Sequence, residues 1–459
     1  MFVKRFMMAV VFLVGTTALV MGQQKRFTVM GLGDSITEGG QSFSSYLYPL
    51  WERLFAAGYD FYMIGPRESE CRIGKLAHCG FSGKNIEFLV ERIDSIYRKY
   101  PADFVLLHAG HNHFVEEKPV DGMIAAYRKV IASILQINPK AHVLMAQVVE
   151  SGKLPKYSYI PDLNKEIAKM VKSLHSKQVV LVNQSKGFDW KTMTIADKVH
   201  PNQKGREQMA QAWFASLRKL LQTPPHSYSV ELMPYKVLPS GDSLYAHVFR
   251  PKKNLARSAV AWFFAGGWKY GSPLQFYRES AHLAEKGVLA VSFDYRISYL
   301  YHSSREEAQE DVEDAVKWLR SRSEDFGVSP AKICCGGASA GACMAALLAS
   351  QDPNGKDSLS IPNLLLLEYP PLAKPLTCVR SKMPPMLLCM GTKDEFTKME
   401  LAEEYVGKVR QLGNECEFHP FAGRHHPIFY YRKPLTPDYD RLLSLMDTFL
   451  IRHGYLMAK

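Results

Sequence analysis

From residue 26 to about residue 220, short apolar runs (RFTVMGL, DFVLLHAG, HVLMAQVV, VVLVN) alternate with amphipathic stretches such as SYLYPLWERLFAAG and GREQMAQAWFASLRKLL. An apolar run bounded by turns is a buried strand, and an amphipathic stretch between two such strands is a crossover helix. The alternation therefore restricts this part of the chain to a parallel sheet with helices on both faces. QTPPHS at 222–227 interrupts the pattern with paired prolines, as a connector does. Two strand-like segments follow, YSVELMPYKV and DSLYAHVFRP. A second alternating series then runs through SAVAWFFAGG, VLAVSFDYR, KICCGGAS, NLLLLEYP, PMLLCMGT and CEFHPFAG. The two series share no internal repeat, so the expectation is two unrelated α/β units, each of three layers, rather than a duplication.

The chain has 459 residues, 47% of them hydrophobic, which is enough to bury a core in each unit. Residues 1–22 join Lys4 and Arg5 to an apolar run ending in small residues, the layout of an export signal with cleavage near Val20 to Gly22. That places the mature protein in the periplasm or outside the cell, with no stable membrane insertion once the signal is cut. Boundaries follow at 23–221 for the first unit, 222–234 for the connector and 235–459 for the second unit. The net charge of +12 is spread along the chain, which argues against nucleic acid and leaves a solvated basic surface or attraction to acidic polysaccharide. The eight cysteines show no metal spacing. In an exported protein Cys71 and Cys79 either close a loop as a disulfide or stay reduced, while Cys334, Cys335 and Cys343 read as core packing. His108, His111 and His113 have no evident carboxylate partner, so no metal or cofactor is expected. The aromatic runs YLYPLW and FYYRKP read as packing rather than sugar platforms.

The first unit gathers its chemistry from four separated stretches. In GLGDSIT, Ser35 follows a strand and opens a helix, at the carboxyl edge where open α/β sheets hold their sites. In DKVHPNQKG, Asp197 and His200 stand three residues apart, so that the carboxylate can orient an imidazole whose other nitrogen takes a serine proton. Between them, CGFSGKN and LLHAGHNHF offer the Gly83 N–H and the Asn112 amide as donors to an oxyanion.

These stretches resemble, in order and approximate spacing, the four blocks of the SGNH (GDSL) hydrolase superfamily, and most closely the carbohydrate esterase family 3 acetylxylan esterases. The resemblance covers residues 27 to about 220 and implies a flavodoxin-like fold. It also implies Ser35 as nucleophile, Asp197 and His200 as acid and base, and Gly83 and Asn112 as oxyanion donors with the Ser35 backbone. Where the family usually has Gly-Thr-Asn-Asp, this chain has Gly110-His111-Asn112-His113.

In the second unit, KICCGGASAGACMAALLAS reads as strand, then Gly337-x-Ser339-x-Gly341, then an alanine-rich helix, which is the context of a nucleophile elbow. Upstream, AWFFAGGWKYGS ends a strand in Gly266 and Gly267, whose N–H groups can approach a substrate closely. Downstream, LLCMGTKDEF presents Asp394 at a strand end, and FHPFAGRHHPIF presents His425 and His426. This half resembles the α/β-hydrolases over roughly 235–455, and most closely the BD-type feruloyl and acetylxylan esterases. The resemblance implies Ser339 as nucleophile, Asp394 as acid and His426, in preference to His425, as base. Gly266, Gly267 and Ala340 would be the oxyanion donors. The usual His-Gly-Gly-Gly-Trp is here Phe264-Ala265-Gly266-Gly267-Trp268, so a histidine that would support the loop is missing.

The combined expectation is an exported carbohydrate esterase that removes acetyl, and by the second resemblance feruloyl, groups from a polysaccharide such as xylan or pectin. Two alternatives stay open at this point: one half is a silent binding or packing module, or the second half is a serine peptidase.

Overall fold

The computed structural model describes residues 26–40, 43–221, 228–355, 358–428 and 437–458. The expected export signal, the prolines of 222–227 and the FYYRKP run lie outside the described residues. No helix among the described residues is long and apolar enough to cross a membrane.

The first sheet contains β1 (Phe27–Gly33), β2 (Phe61–Met63), β3 (Arg67–Cys71), β4 (Gly74–Gly80), β5 (Phe104–His108), β6 (His142–Gln147) and β7 (Val179–Asn183). Its order is β3-β4-β1-β5-β6-β7, with β2 pairing the first half of β1 and β4 the second half. β1, β5 and β6 are buried almost throughout because helices pack on the sheet in two groups. Helix Leu47–Ala56 joins helix Gln203–Leu220, and Val120–Ile137 joins Ile160–Ser173. The aromatics of YLYPLW serve this packing, with Tyr46 and Trp51 buried.

The second sheet contains β8 (Tyr228–Val237), β9 (Ser243–Pro251), β10 (Ala259–Phe263), β11 (Leu289–Phe293), β12 (Ile333–Ala338), β13 (Leu364–Glu368), β14 (Met386–Gly391) and β15 (Cys416–Phe421). Its order is β15-β14-β13-β12-β10-β11-β9-β8. β8 and β9 form an antiparallel hairpin at one edge, and β10 to β15 run parallel. Helix Ala340–Ala349 is buried nearly all round, which is why its sequence is alanine-rich and lacks an amphipathic pattern.

Two expectations need correction, and one open alternative is settled. The connector does not extend to 234: residues 228–234 are already in β8, because cross-strand pairing from Tyr228 to Val237 fastens them to β9. The first sheet is not purely parallel, since β3 and β4 form an antiparallel hairpin. RESEC carries no apolar run, and its exposed residues are held by ladder hydrogen bonds rather than by burial. Of the two alternatives open for Cys71 and Cys79, the structure has both as thiols. Cys71 sits at the hairpin turn opposite Gly74, whereas Cys79 lies at the far end beside Leu32. Cys334, Cys335 and Cys343 are buried in the core, as read from the sequence.

His78 of β4 is buried, accepts a 3.0 Å hydrogen bond from the Gly80 N–H at Nδ1 and meets Ser69 Oγ at 2.8 Å through Nε2. Burial pushes its pKa down to about 4. A histidine whose folded pKa is depressed favours folding above its unfolded pKa, and that contribution is lost as pH falls through the window between the unfolded value and about 4. In urea titrations, the loss of unfolding free energy between pH 7 and pH 5 is expected to be smaller in His78→Gln, by about 2 kcal/mol.

Candidate active sites

Ser35 leaves β1 and begins the helix Ser35–Glu38, whose N-cap Asp34 accepts from the Ile36 N–H at 3.0 Å. The turn requires Gly33, because a β-carbon there would lie 2.0 Å from the His108 carbonyl oxygen. Ser35 Oγ is 2.8 Å from His200 Nε2, and His200 Nδ1 is 2.5 Å from Asp197 Oδ2. The other carboxylate oxygen accepts from the Val199 and His200 N–H groups at 2.9 and 3.0 Å, so one short loop fixes acid and base together. Partial burial opposes ionisation of Asp197, but the bonds to His200 and to these N–H groups outweigh it and hold its pKa below the usual carboxylate range. A tight fit is also needed behind this loop, where a β-carbon at Gly205 would lie 2.2 Å from the Met193 carbonyl oxygen.

Asn112 and Gly83, the expected donors, lie on adjacent loops: Asn112 Nδ2 donates to the Lys84 carbonyl at 3.0 Å, which leaves its second N–H available. Both residues have positive φ, +73° and +72°. His113 does have carboxylate partners, contrary to expectation: its ring lies between Glu87 at 2.9 Å and Glu117 at 2.7 Å, which pins the Asn112 loop. Glu117 is four residues on and within sight of the sequence, whereas Glu87 lies 26 residues upstream, where adjacency could not reveal it. His108 and His111 are buried behind the nucleophile with Asp34. Burial lowers the His108 pKa to about 4; for Asp34, burial favours the neutral acid, but His111, His108 and the Ile36 N–H outweigh it and lower the pKa.

Two further residues escaped the sequence reading. The Phe43 ring stacks on His200 at 4.3 Å. Glu38 accepts from the Ser82 N–H at 2.5 Å and pairs with Arg67, thereby tying the Gly80–Gly83 turn to the nucleophile's helix. Near the relay is a cavity of about 680 Å³ whose lining mixes polar residues such as Glu38, Ser45, Glu68, Asn202 and Arg206 with apolar ones such as Phe43, Leu47 and Leu76.

Ser339 lies between β12 and its helix at φ 48°, ψ −115°, a strained turn that holds the side chain at the sheet edge. Gly337 and Gly341 are required by close packing: β-carbons there would lie 2.7 and 2.0 Å from the Phe263 carbonyl oxygen. Ser339 Oγ is 2.9 Å from His426 Nε2, and His426 Nδ1 is 2.7 Å from Asp394 Oδ2. Asp394 Oδ1 accepts from the Phe396 and Thr397 N–H groups at 2.8 and 2.9 Å. The structure thus brings His426, not His425, to the serine. His425 is 62% exposed and pairs with Glu395, a residue that the sequence did not single out. Glu395 also accepts from the His426 N–H at 3.1 Å, so it steadies the loop that carries the base.

Gly266, Gly267, Ser339 and His426 border a cavity of about 1130 Å³. Its wall includes Trp268, Met344, Leu347, Tyr369 and Phe396, a largely apolar and aromatic lining. Ala340 is buried at the start of the helix, where first-turn N–H groups lack intrahelical partners.

Each sheet therefore carries one serine–histidine–aspartate relay at its carboxyl edge, which defines two serine-hydrolase-type domains on one chain. Residues 32–208 match the model of the GDSL-like lipase/acylhydrolase family, and residues 247–365 match that of the BD-FAE family, in keeping with an α/β-hydrolase domain second. Among curated proteins the chain is similar to the fumonisin B1 esterase of Sphingopyxis macrogoltabida, 30% identical over 152 residues (30% of this chain, 27% of that protein). It is also similar to lipase 2 of Moraxella sp. (strain TA144), 35% identical over 102 residues (22% of this chain, 23% of that protein). The chain thus spans about a quarter of the length of these two relatives, 27% and 23%. The apo form of Thermogutta terrifontis esterase 2 aligns with a TM-score of 0.47 at 28% identity, covering 52% of this chain and all of that one.

In a Ser35→Ala chain, His426→Ala is expected to lower ester turnover by roughly 10³-fold or more, whereas His425→Ala stays within about threefold. Initial rates on 4-nitrophenyl butyrate distinguish the two histidines.

Proposed function

We propose that the chain is an exported, two-domain serine carboxylic ester hydrolase that removes acyl groups from a plant cell-wall polysaccharide such as xylan or pectin. The observation that carries this reading is the pair of separate relays, each with serine Oγ within 2.9 Å of a histidine Nε2 and an aspartate on that histidine's Nδ1.

In each centre the serine oxygen attacks the ester carbonyl while the histidine Nε2 takes its proton and the aspartate holds the ring in the required orientation. Negative charge on the carbonyl oxygen is met by the Ser35 N–H, the Gly83 N–H and the Asn112 amide in the first domain. In the second it is met by the Gly266, Gly267 and Ala340 N–H groups. Collapse of the tetrahedral intermediate breaks the bond to the sugar oxygen, which takes the proton from histidine and leaves as a hydroxyl, and water then releases the acid from the acyl-enzyme by the same steps.

The two surroundings suggest a division of labour. The cavity near Ser35, with Glu38, Glu68, Asn202 and Arg206 in its lining, suits a hydroxyl-rich sugar carrying a small acyl group. The larger aromatic-walled cavity at Ser339 suits a bulky acyl group of the feruloyl kind, whose ring can stack and whose burial is favourable at about 25 cal/mol per Å² of apolar surface. Tethering holds both centres on one branched polymer at a raised effective concentration.

Three full-length variants, Ser35→Ala, Ser339→Ala and the double variant, test the reading on 4-nitrophenyl acetate, acetylated xylan and feruloylated oligosaccharide, with products followed by mass spectrometry. Ser339→Ala is expected to retain deacetylation, Ser35→Ala to retain feruloyl release, and the double variant to lose both. Loss of all turnover in either single variant would show that only one relay works.

A further inference from the structure

The loop from Phe264 to Gly271 carries the backbone donors of the Ser339 centre; its own domain holds it through Gln275, which accepts from the Ala265 N–H at 2.7 Å, and through the Ser298 and Tyr299 N–H groups, and the first domain adds a further hold at Gly271. Phe264 has no polar side-chain atom with which to hold the loop. The loop folds back on itself, with the Lys269 and Tyr270 N–H groups donating to the Gly266 carbonyl at 3.1 and 3.0 Å. The fit is close: a β-carbon at Gly266 would lie 1.9 Å from the Tyr270 carbonyl oxygen. One at Gly271 would lie 2.3 Å from the Phe264 ring and 2.4 Å from the Ala265 carbonyl oxygen. A displacement of Gly271 is therefore passed directly to the strand end and to Gly266.

Gly271 is gripped on both sides by Arg72, at the tip of the β3–β4 hairpin of the first domain. The Gly271 N–H donates to the Arg72 carbonyl at 2.8 Å, and Arg72 Nε donates to the Gly271 carbonyl at 2.8 Å. The rest of the guanidinium pairs with Asp294 through both terminal nitrogens and lies 5.8 Å from the centre of the Phe264 ring. Asp294 in turn accepts from the Tyr295 N–H at 3.0 Å. The Tyr295 ring stacks on Phe264 at 3.9 Å, and its hydroxyl donates to the Phe264 carbonyl at 2.8 Å. Glu70, on the same hairpin, bonds the Tyr270 hydroxyl. The Arg72 and Asp294 side chains are only 14% and 8% exposed, so this is a built contact and not a surface pair.

We propose that Arg72 is a positioning residue for the Ser339 centre: a side chain of the first domain sets the Ala265–Gly267 backbone of the second, so acyl transfer at Ser339 depends on the hairpin of its neighbour. The inference rests on the reading of Ser339 as a working nucleophile. It acts through the oxyanion that forms in the transition state, and so affects kcat rather than KM.

The test uses the full chain with Ser35→Ala, so that turnover of 4-nitrophenyl butyrate reports Ser339 alone. Arg72→Met is expected to lower kcat about tenfold, part of the roughly 10²–10³-fold that loss of an oxyanion donor costs, with KM within about twofold. Sub-denaturing guanidinium, but not sodium chloride at equal ionic strength, is expected to restore much of the kcat of Arg72→Ala, a recovery that a misfolded variant would not show. Asp60→Asn removes a different cross-domain ion pair, that with Arg278, and is expected to leave kcat within about twofold. An unchanged kcat in Arg72→Met would overturn the inference, as would an equal loss in Asp60→Asn. An inactive Ser35→Ala parent would instead overturn the reading of Ser339 as nucleophile, and this inference with it.

Discussion

Both sites depend on backbone passing against backbone where a strand becomes a helix. At Gly33 a β-carbon would sit 2.0 Å from the His108 carbonyl, and at Gly341 the same distance from that of Phe263. Only a residue without a side chain lets the helix start so close to the neighbouring strand, and only that closeness leaves the serine at the sheet edge with its hydroxyl directed outward. Each serine is then met by a histidine from a loop late in its own domain. The rest of each fold serves to bring that loop within 3 Å of the oxygen.

The relays differ in how they are built, and the difference has an electrostatic consequence. Asp197 and His200 share one tight loop and are 37% and 22% exposed, so water screens the pair and the loop's own N–H groups hold the carboxylate. Asp394 and His426 come from the loops after β14 and β15 and are 0% and 9% exposed. A buried pair attracts more strongly but must compensate for lost hydration, which here falls to the Phe396 and Thr397 N–H groups and to the serine itself. The second centre is the more enclosed of the two and borders the larger, more apolar cavity.

Much of this was legible because local chemistry and tertiary role coincide. Ser35 and Ser339 stand where a glycine-containing turn joins strand to helix, and Asp197 and His200 are close enough in sequence for one loop to place both. The choice of His426 over His425 rested on family likeness. The structure adds the geometry, with His426 held between Ser339 and Asp394 while the exposed His425 ring bonds Glu395. The features that were not legible are those whose partners lie far apart. β3 is too polar to look like a strand until β4 pairs with it, and His113 looks unpartnered until a helix brings Glu87 across. Cys71 and Cys79 look close in sequence, yet the hairpin carries them to its opposite ends.

The same hairpin changes what a two-domain chain means in this molecule. At one end, Gly80 packs so closely on the Ser35 helix that a β-carbon would lie 2.5 Å from the Glu38 nitrogen; at the other, Arg72 is locked into the second domain at Gly271 and Asp294. The hairpin thus touches the helix that carries Ser35 at one end and the Gly271 loop of the second domain at the other, with its two strands joined by ladder hydrogen bonds between them. A flexible tether would have raised only the local concentration of one centre near the other's product. A buried arginine that bonds Gly271 on both sides fixes how the tip of the hairpin sits against the loop of the second domain.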